Sequence, residues 1–401
     1  MVNRIAPYSW KTFSVKDVIN NVSIGNKIPS KKYLERGLYP VIDQGRDYIS
    51  GYTNNENGVI TSIPVIIFGD HTRVFKYVDF SFVPGADGVQ IFRAKSFFIP
   101  KLLFYFLQAV ILPDRGYARH YQYLAKSTIP VPPLAEQKRI VKKIEELFSV
   151  IDKTVKSLNE TKEHLAQYRQ SVLQQAFSGK LLNIKINKNQ VKDVGAIITG
   201  STPSTSHPEY YGNSYPFYRP TDLNAGYITN KAERYVSDQG FKVSRRLPAK
   251  SILVTCIGAT IGKTGLIRQA GICNQQINAI IPYEKYIPEF VYFYAISSQF
   301  QNSIKTNASA TTLPIVNKRS FEQLPFVYCS LPEQKTIVAK IETAFAAADK
   351  AEKAISAALE QAKQLKQSIL KQAFEGKLVP QDPNDEPVDL SQIKKHKGKS
   401  K

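Results

Sequence analysis

The sequence predicts an α+β protein in which two β-rich globules alternate with two long α-helices. Three observations support this fold class. A segment of 48 residues recurs 197 positions later, with 24 identities and no gap. Each copy has the apolar periodicity of a helix over its whole length. Each copy also follows a block of short apolar runs bounded by glycine, proline, aspartate and asparagine, which is typical of β-strands and turns.

The two repeated segments, residues 134–181 and 331–378, read as long helices. Apolar side chains recur in them at spacings of three, four and seven residues, as at Ile140 and Ile144. Gly179 and Gly376 lie where a left-handed C-terminal cap is expected. A helix of about 44 residues is about 66 Å long, and one apolar stripe on it needs a partner rod. The simplest partner is the other copy.

The remaining sequence is duplicated more weakly, since Val15–Val18 matches Val191–Val194 at an offset of 176. Strands are expected at 65–68, 74–83, 89–92, 252–257 and 277–281, with an aromatic core helix at 100–108 and at 288–295. The predicted organisation is a globule at 1–133, a helix at 134–181, a second globule at 182–330, a second helix at 331–378 and a basic disordered tail at 379–401.

The charge is strongly positive and lies mainly in the two globules. With 54 Lys+Arg and 33 Asp+Glu the formal charge is +21, of which residues 1–133 contribute +7 and residues 181–330 contribute +8. Two separately basic domains favour a polyanion held at two places. A basic protein kept soluble by its charge has the same composition.

Several protein classes are disfavoured by composition. No apolar run approaches the ~18 residues that span a bilayer, so no membrane association is expected. The N-terminal residues lack a continuous apolar stretch, which argues against a secretory signal. Cys256, Cys273 and Cys329 are too few and too scattered for a disulfide framework or a zinc knuckle. The expected location is therefore the reducing cytoplasm.

Both long segments open with L-x-E-Q-K-x-I-V and close with Q-x-x-L-x-x-A-F-x-G-K-L. With the two β-rich blocks, these motifs resemble the specificity subunit of a Type I restriction-modification system over residues 13–380. The resemblance implies two target recognition domains separated by two helices packed as an antiparallel coiled coil, a pseudo-twofold internal repeat. It implies that each domain reads half of a split site in double-stranded DNA.

The resemblance also implies partners. Two adenine-methylating modification subunits and two ATP-driven restriction subunits are expected to assemble around this chain. S-adenosylmethionine, ATP and Mg would belong to those subunits, and no cofactor to this chain.

Catalytic motifs are not found. Residues 256–264 resemble a phosphate loop, but three residues rather than four separate Gly258 from Gly262, which predicts turns between strands. There is no Asn/Asp-Pro-Pro-aromatic methyltransferase motif, and the histidines have no metal-ligand spacing. A non-catalytic DNA reader is expected. The alternatives are a coiled-coil nucleic-acid-binding scaffold not linked to restriction, and a lone DNA enzyme.

Polar and basic side chains in loops are the candidates for contacting DNA. In the first globule these are His71, Thr72, Arg73, Arg115, Tyr117, Arg119, His120 and Tyr121. In the second globule they are Thr221, Asn224, Arg245, Arg246, Lys263, Asn274, Gln275, Gln276, Ser309, Thr311, Thr312 and Lys318. A solvated loop explains the first set equally well, and Asn274–Gln276 could instead satisfy backbone groups in a turn.

One pair of residues recurs in the first turn of both helices, as Glu136–Gln137 and Glu333–Gln334. A carboxylate suits the positive end of the helix dipole and needs no function. That reading leaves the paired glutamine unexplained. Its recurrence predicts a shared contact, either between helix and globule or with a partner subunit.

Overall fold

A computed structural model of the chain describes residues 10–85, 88–114, 116, 118–309 and 313–389. Its contacts divide the chain into two compact units, Met1–Leu158 with Ala357–Lys401, and Asn159–Ser356. Each unit combines one β-rich globule, the start of the long helix that follows it, and the end of the other long helix.

The described part of unit 1 begins with nine short strands and three short α-helices, followed by the first long helix. The strands are β1 (Lys11–Ser14), β2 (Ile19–Asn21), β3 (Tyr39–Ile42), β4 (Gly51–Thr53), β5 (Val65–Gly69), β6 (Phe75–Val78), β7 (Val83–Pro84), β8 (Val89–Ala94) and β9 (Thr128–Val131). The helices are α1 (Val15–Val18), α2 (Pro100–Ala109), α3 (Tyr121–Lys126) and α4 (Leu134–Phe177).

The strands of unit 1 form sheets in the orders β2-β8-β5-β6, β4-β3-β7 and β1-β9. The residues of β5 are all buried, as its sequence VIIFG suggests, because apolar clusters cover both faces of the four-stranded sheet. One of these clusters contains α2, which begins at Pro100 in the favourable first helical position and buries Leu103 and Phe106 against the sheet.

Unit 2 repeats this plan. Its strands are β10 (Asn187–Gln190), β11 (Gly195–Thr199), β12 (Tyr211–Tyr218), β13 (Arg234–Val236), β14 (Ile252–Thr255), β15 (Thr264–Leu266), β16 (Ile272–Cys273), β17 (Ile277–Pro282) and β18 (Pro325–Tyr328). Its helices are α5 (Asp238–Val243), α6 (Pro288–Ala295), α7 (Ser298–Thr306), α8 (Lys318–Glu322) and the second long helix, α9 (Leu331–Phe374).

The sheets of unit 2 have the orders β11-β17-β14-β15, β13-β12-β16 and β10-β18. These correspond one to one with the sheets of unit 1, including the single parallel pair in each three-stranded sheet. The aromatic helix α6 buries Phe290, Phe293 and Tyr294, the counterpart of α2. The prediction that both aromatic stripes are core is confirmed.

The two long helices have the predicted length, 44 residues each. Gly179 and Gly376 follow their last turns with φ of 82° and 70°, the left-handed conformation expected of C-terminal caps. Among the described residues, neither these helices nor the shorter ones are apolar enough over a sufficient length to cross a bilayer.

In unit 1 the start of α4 packs antiparallel to the end of α9. Ile140, Ile144 and Ile151 share an apolar cluster with Ile369 and Leu370.

We call this antiparallel contact between α4 and α9 the seam. At its exposed edge, Lys366 and Asp152 form an ion pair at 2.5 Å, and the Lys366 ammonium lies 4.8 Å from the centre of the Phe148 ring. We call this arrangement of a basic residue, a carboxylate and a phenylalanine a helix clasp.

Unit 2 contains the same clasp between the end of α4 and the start of α9. Arg169 pairs with Asp349 at 2.5 Å and lies 6.0 Å from the centre of the Phe345 ring. Arg169 occupies the repeat position of Lys366, and the two aspartates and two phenylalanines are likewise equivalent. The internal repeat therefore builds the same antiparallel contact twice, once in each unit.

Two elements differ from the prediction. The strand expected at 74–83 is divided, because Phe82 and Val83 leave the four-stranded sheet to pair with Ile60 and β3. The tail was expected to lack structure from residue 379 onward, but residues 379–389 pack on the first globule. Arg139 of α4 binds Asp385 through two hydrogen bonds of 3.1 and 2.5 Å. The remaining residues, 390–401, lie outside the described part.

Candidate nucleic-acid interface

In unit 1, the predicted contact residues meet around one buried side chain, Asp70, at the end of β5. Its backbone carbonyl oxygen accepts a hydrogen bond from the backbone N–H of His120 at 3.0 Å. The same oxygen lies 3.0 Å from Nδ1 of the His120 ring. Its carboxylate accepts from the Tyr121 N–H at 2.7 Å, and its own N–H donates to the Gly88 carbonyl at 2.7 Å. Asp70 therefore joins three loops that are distant in sequence.

A fourth loop joins these through Gln44. The Thr72 hydroxyl donates to the Gln44 carbonyl at 2.6 Å, and the His71 N–H donates to the Gln44 side-chain oxygen at 3.2 Å. Gly88 has φ of 83°, and a Cβ on it would lie 2.7 Å from that side-chain oxygen, so glycine is required here. We call the described residues 43–50, 69–74, 88 and 118–121 the first loop surface.

The sequence prediction for the first globule is thus spatially coherent, with one revision. His71, Thr72, Arg73, Arg119 and Tyr121 are exposed or half-buried on the first loop surface. His120 is fully buried, and its ring supports Asp70 instead of facing solvent. Arg115 and Tyr117 lie outside the described residues.

In unit 2, an equivalent set of loops converges at the corresponding end of the four-stranded sheet. The Asn274 N–H donates to the Tyr218 carbonyl at 3.1 Å, which joins the 273–278 turn to the end of β12. The Thr202 hydroxyl donates to the Gln275 side chain at 2.7 Å. Arg245, two residues after the end of α5, reaches the end of β11, since its guanidinium donates to the Thr199 carbonyl at 2.8 Å.

The glycine-rich turn of residues 256–263 completes this surface. The Cys256 N–H donates to the Gln276 carbonyl at 2.7 Å, and the Gly258 N–H donates to the Pro314 carbonyl at 3.0 Å. The Ser309 N–H donates to the Ile315 carbonyl at 3.0 Å, which closes the neighbouring loop. We call the described residues 199–202, 218–224, 245–246, 256–263, 273–278, 309 and 313–316 the second loop surface.

The second loop surface contains a cavity of about 310 Å³ whose walls combine polar and apolar side chains. It is lined by Arg219, Pro220, Thr221, Ile257, Gly258, Ala259, Thr260, Asn274 and Gln276. The Asn274 amide donates to the Gln276 side-chain oxygen at 2.9 Å. Side-chain amides and hydroxyls grouped in this way can present donors and acceptors to base edges.

The other predicted residues of the second globule are distributed as follows. Asn224 and Arg246 are exposed on the second loop surface, and Lys263 is half-buried within its glycine-rich turn. Lys318 opens α8 with its ammonium 3.6 Å from Glu322 of the same helix. Thr311 and Thr312 lie outside the described residues.

The recurring glutamines Gln137 and Gln334 bind the globules. The Gln137 amide donates to the Phe97 and Pro132 carbonyls, each at 2.9 Å, and its oxygen accepts from the Ile99 N–H at 2.7 Å.

Gln334 repeats this pattern. Its amide donates to the Lys285 and Cys329 carbonyls at 3.0 and 2.9 Å, and its oxygen accepts from the Ile287 N–H at 2.9 Å. Of the two contacts that the sequence left open, these glutamines make the one between helix and globule.

The accompanying glutamates differ from each other. Glu136 is buried, and its carboxylate accepts from Trp10 Nε1 at 2.8 Å and from the side chain of Gln381 in the tail. Burial raises the pKa of Glu136, and these hydrogen bonds oppose the rise only in part. Glu333 instead accepts from the N–H and hydroxyl of Ser330 at 2.8 and 2.7 Å, which lowers its pKa.

The described residues offer little for catalysis. They contain no group of three or more His, Cys, Asp or Glu that could hold a metal ion. Burial raises the pKa of the three cysteine thiols to about 12, so they remain protonated and unreactive at neutral pH. Gly258 and Gly262 have φ of 97° and 87° and form turns between β14 and β15, as predicted for this region.

Sequence reasoning missed several residues of these surfaces, including Gln44, Thr202, Arg219 and Thr260. Gln44 follows β3 in a segment, Asp-Gln-Gly-Arg, that has the composition of an ordinary turn. Thr202 contacts Gln275, which is 73 residues away, and Arg219 pairs with Asp222 and Glu233. The one available signal was that Ile28–Ser30 and Tyr39–Pro40 have counterparts in the second globule, which marks equivalent segments without identifying the contact residues.

Comparison with known proteins identifies the family. The family described as Type I restriction modification DNA specificity domain matches residues 7–163 and 183–361. The chain belongs to this family. The Type I restriction enzyme EcoBI specificity subunit of Escherichia coli is 30% identical over 289 residues, which are 64% of this chain and 60% of that relative. The HindI specificity subunit of Haemophilus influenzae is 34% identical over 140 residues, 34% of this chain and 30% of that protein.

The match thus spans about 60% of the length of the EcoBI relative. The curated relatives are specificity subunits, in agreement with the prediction of a non-catalytic family.

Solved structures show the same fold. A chain from a structure that describes complex assembly and conformational transition of the type I R-M system superposes with a TM-score of 0.71 at 19% identity, over 93% of this chain and 99% of that one. The HsdS subunit from Thermoanaerobacter tengcongensis superposes with a TM-score of 0.52 at 18% identity, over 93% and 98%. The predicted fold class is confirmed.

Proposed function

We propose that this chain is the DNA-recognition subunit of a Type I restriction-modification complex, and that each unit reads one half of a bipartite site in double-stranded DNA. The observation that supports this most directly is the duplicated architecture. Both units have the same sheet order and gather polar loops at the same end of the four-stranded sheet. The loops differ in sequence, so the two half-sites differ in bases.

The long helices act as the spacer in this proposal. Each is a continuous helix of 44 residues, and each contributes to the antiparallel seam of both units. A rigid spacer fixes the distance between half-sites, for which one turn of DNA, about 34–36 Å, is the natural measure. The positive charge of both globules supplies attraction to phosphates that does not depend on sequence.

Family membership implies modification and restriction subunits as partners. We propose two of each, because a chain that presents duplicated helices can bind two copies of the same partner. Methylation of adenine and cleavage of DNA then belong to those partners, with S-adenosylmethionine, ATP and Mg bound there. This chain itself takes no cofactor and contributes the choice of site.

An exchange of one globule tests the proposal. Residues 189–330 are replaced by the same region of another such subunit, and the chimera is purified with its methyltransferase subunits. Methylated sites are then mapped, and one half-site is expected to change while the other stays the same. A change in both half-sites contradicts the proposal that each unit reads one half-site independently.

Binding measurements separate the proposal from a general scaffold. The assembled complex is expected to prefer a split site over random duplex and single-stranded RNA, with affinity that falls steeply as salt increases. Equal affinity for all three nucleic acids would favour a coiled-coil scaffold without a role in restriction.

A further inference from the structure

A turn on the first loop surface, residues 43–50, has an unusual internal support. Lys76 of β6 is only 3% exposed, although lysine is rarely buried. Its ammonium donates to the carbonyls of Asp43 and Asp47 at 2.9 and 2.5 Å. These carbonyls lie on either side of residues 44–46, so Lys76 fixes the backbone before and after these three residues.

The Asp43 carboxylate closes the same turn from the other side. Its Oδ1 accepts from the Gly45 N–H at 2.8 Å and from the Ser50 hydroxyl at 2.6 Å, and its Oδ2 accepts from the Tyr33 hydroxyl at 3.2 Å. Burial by itself would raise the pKa of Asp43, but these hydrogen bonds and the charge of Lys76 together hold it below the ordinary value. The carboxylate is therefore ionised at neutral pH.

Burial lowers the pKa of Lys76, and the charges of Asp43 and Asp47 oppose this. An ammonium removed from water is costly unless it is paired and hydrogen-bonded. The Lys76 ammonium is nevertheless buried beneath a surface turn, although a turn can reverse the chain direction without a buried charge beneath it. The arrangement makes sense if the position of the turn itself matters.

Arg46 lies in this turn, between the two carbonyls that Lys76 binds. It is exposed and has no ion pair or hydrogen bond with a described residue. Arg73 on the same surface, in contrast, lies 3.7 Å from Asp114. Gln44, two residues before Arg46, contacts both His71 and Thr72, so this turn adjoins the predicted contact residues.

We propose that Arg46 is a specificity-determining residue of unit 1 that reads a guanine in one half-site, and that Lys76 is the positioning residue that fixes its turn. The guanidinium can donate two parallel hydrogen bonds to guanine O6 and N7 in the major groove, the commonest specific contact to that base. A rigid support for an exposed reading group is what such a contact requires. The inference rests on the proposed function, because it assigns a residue to one of the two half-sites.

The test uses the full chain assembled with its methyltransferase subunits and a DNA library in which both half-sites are randomised. Methylated molecules are sequenced to obtain the base preference at each position. Arg46→Ala is expected to lower the preference for guanine at one position of one half-site by about tenfold or more, and to leave the other half-site unchanged.

Arg46→Lys separates base reading from phosphate binding. It keeps the charge but loses the paired hydrogen bonds, so it is expected to relax the same position while overall affinity is largely retained. If both variants bind all sequences more weakly by the same factor and keep every base preference, Arg46 contacts phosphate only and the proposal is overturned.

Lys76→Met tests the positioning role. It is expected to relax the same position even though Arg46 is present. If Lys76→Met lowers the thermal stability while the base preference is kept, the role of Lys76 is structural only and that part of the proposal fails.

The matched control is Lys16→Ala, an exposed lysine of α1. Strand β8 pairs with Gly69 at one end and Ile19 at the other, about 20 Å apart, so Lys16 lies far from the turn. This variant is expected to keep every base preference. A wild-type complex without preference for any split site would refute the proposed function itself, which is distinguishable from a change caused by Arg46 alone.

Discussion

At the scale of residues, Gln137 and Gln334 explain why an E-Q pair begins both long helices. Each side chain satisfies three backbone groups of its own globule and is buried there. Apolar side chains of similar size cannot make these hydrogen bonds, and a buried polar group without a partner costs about 1–3 kcal/mol. The glutamine therefore recurs in both helices as an attachment point between helix and globule.

Replacement of Gln137 by alanine is expected to lower the free energy of unfolding by about 2 kcal/mol or more, because it leaves buried backbone groups of Phe97 and Ile99 unsatisfied. Urea denaturation followed by circular dichroism measures the change. Lys138→Ala, an exposed neighbour, is expected to change it by less than about 0.5 kcal/mol. Equal effects of the two substitutions would contradict the role of Gln137.

The depressed pKa of Asp43 predicts a dependence of stability on pH. A carboxyl whose pKa is lower in the folded state stabilises the fold above its unfolded value of 3.8, and this contribution is lost as pH falls through the folded value. The difference in unfolding free energy between the wild type and Asp43→Asn should therefore shrink between about pH 5 and pH 2. A difference that stays constant over this range would contradict the assignment.

Individual residues were predictable from the sequence only where a pattern marked them. The recurrence of Glu136–Gln137 and Glu333–Gln334 predicted a shared contact, and the glutamines make it. Asn274–Gln276 were noticed for residue type and meet in one turn; their contact with DNA stays a prediction. Gln44 and Lys76 were not predictable, because their importance arises from hydrogen bonds across 27–33 residues that no local pattern records.

At the scale of elements, the helix clasps show which interaction stabilises the antiparallel seam. The ion pair between Lys366 and Asp152 is 31% and 61% exposed, and water screens it to about 0–1 kcal/mol. The Phe148 ring is half-buried and packs edge-on against Tyr105 at 5.7 Å. Packing of the ring, rather than the ion pair, is therefore expected to dominate.

Phe148→Ala should accordingly destabilise unit 1 by about 2–4 kcal/mol, whereas Asp152→Ala should cost less than about 1 kcal/mol. Thermal and urea denaturation of the two variants provide the comparison. A larger loss from Asp152→Ala would show that charge, not burial, holds the seam.

The docked part of the tail gives a second prediction at this scale. Truncation after residue 379 removes the partners of Arg139 and one partner of the buried Glu136, so a lower midpoint of thermal unfolding is expected. Truncation after residue 389 keeps these contacts and is the matched control, with an unchanged midpoint. If both truncations behave alike, the docked segment contributes nothing to stability.

The long helices were the most predictable elements, because their 44 residues have one uninterrupted period and glycine caps. The prediction of one strand over 74–83 was wrong, because the structure has two strands there, β6 and β7. An apolar run does not reveal that its two ends pair with different sheets. The tail prediction failed for residues 379–389 because a polar composition does not reveal that Arg139, on a helix distant in sequence, binds Asp385. Local patterns predict elements well, but not the tertiary partners that divide or dock them.

At the scale of the whole molecule, duplication is the principle that organises the chain. The same sheet order, the same glutamine attachment and the same helix clasp occur once in each unit. The loop residues at one end of each four-stranded sheet differ between the two units. A repeated framework that carries different loops agrees with membership of a family of specificity subunits.

We propose that the paired helices set a fixed distance between two unlike DNA-reading units. The most direct test measures the affinity of the assembled methyltransferase complex for its own split site as base pairs are added to or removed from the gap. We predict a sharp optimum, with binding lost when a single base pair is inserted. Affinity that stays the same across several gap lengths would contradict the claim.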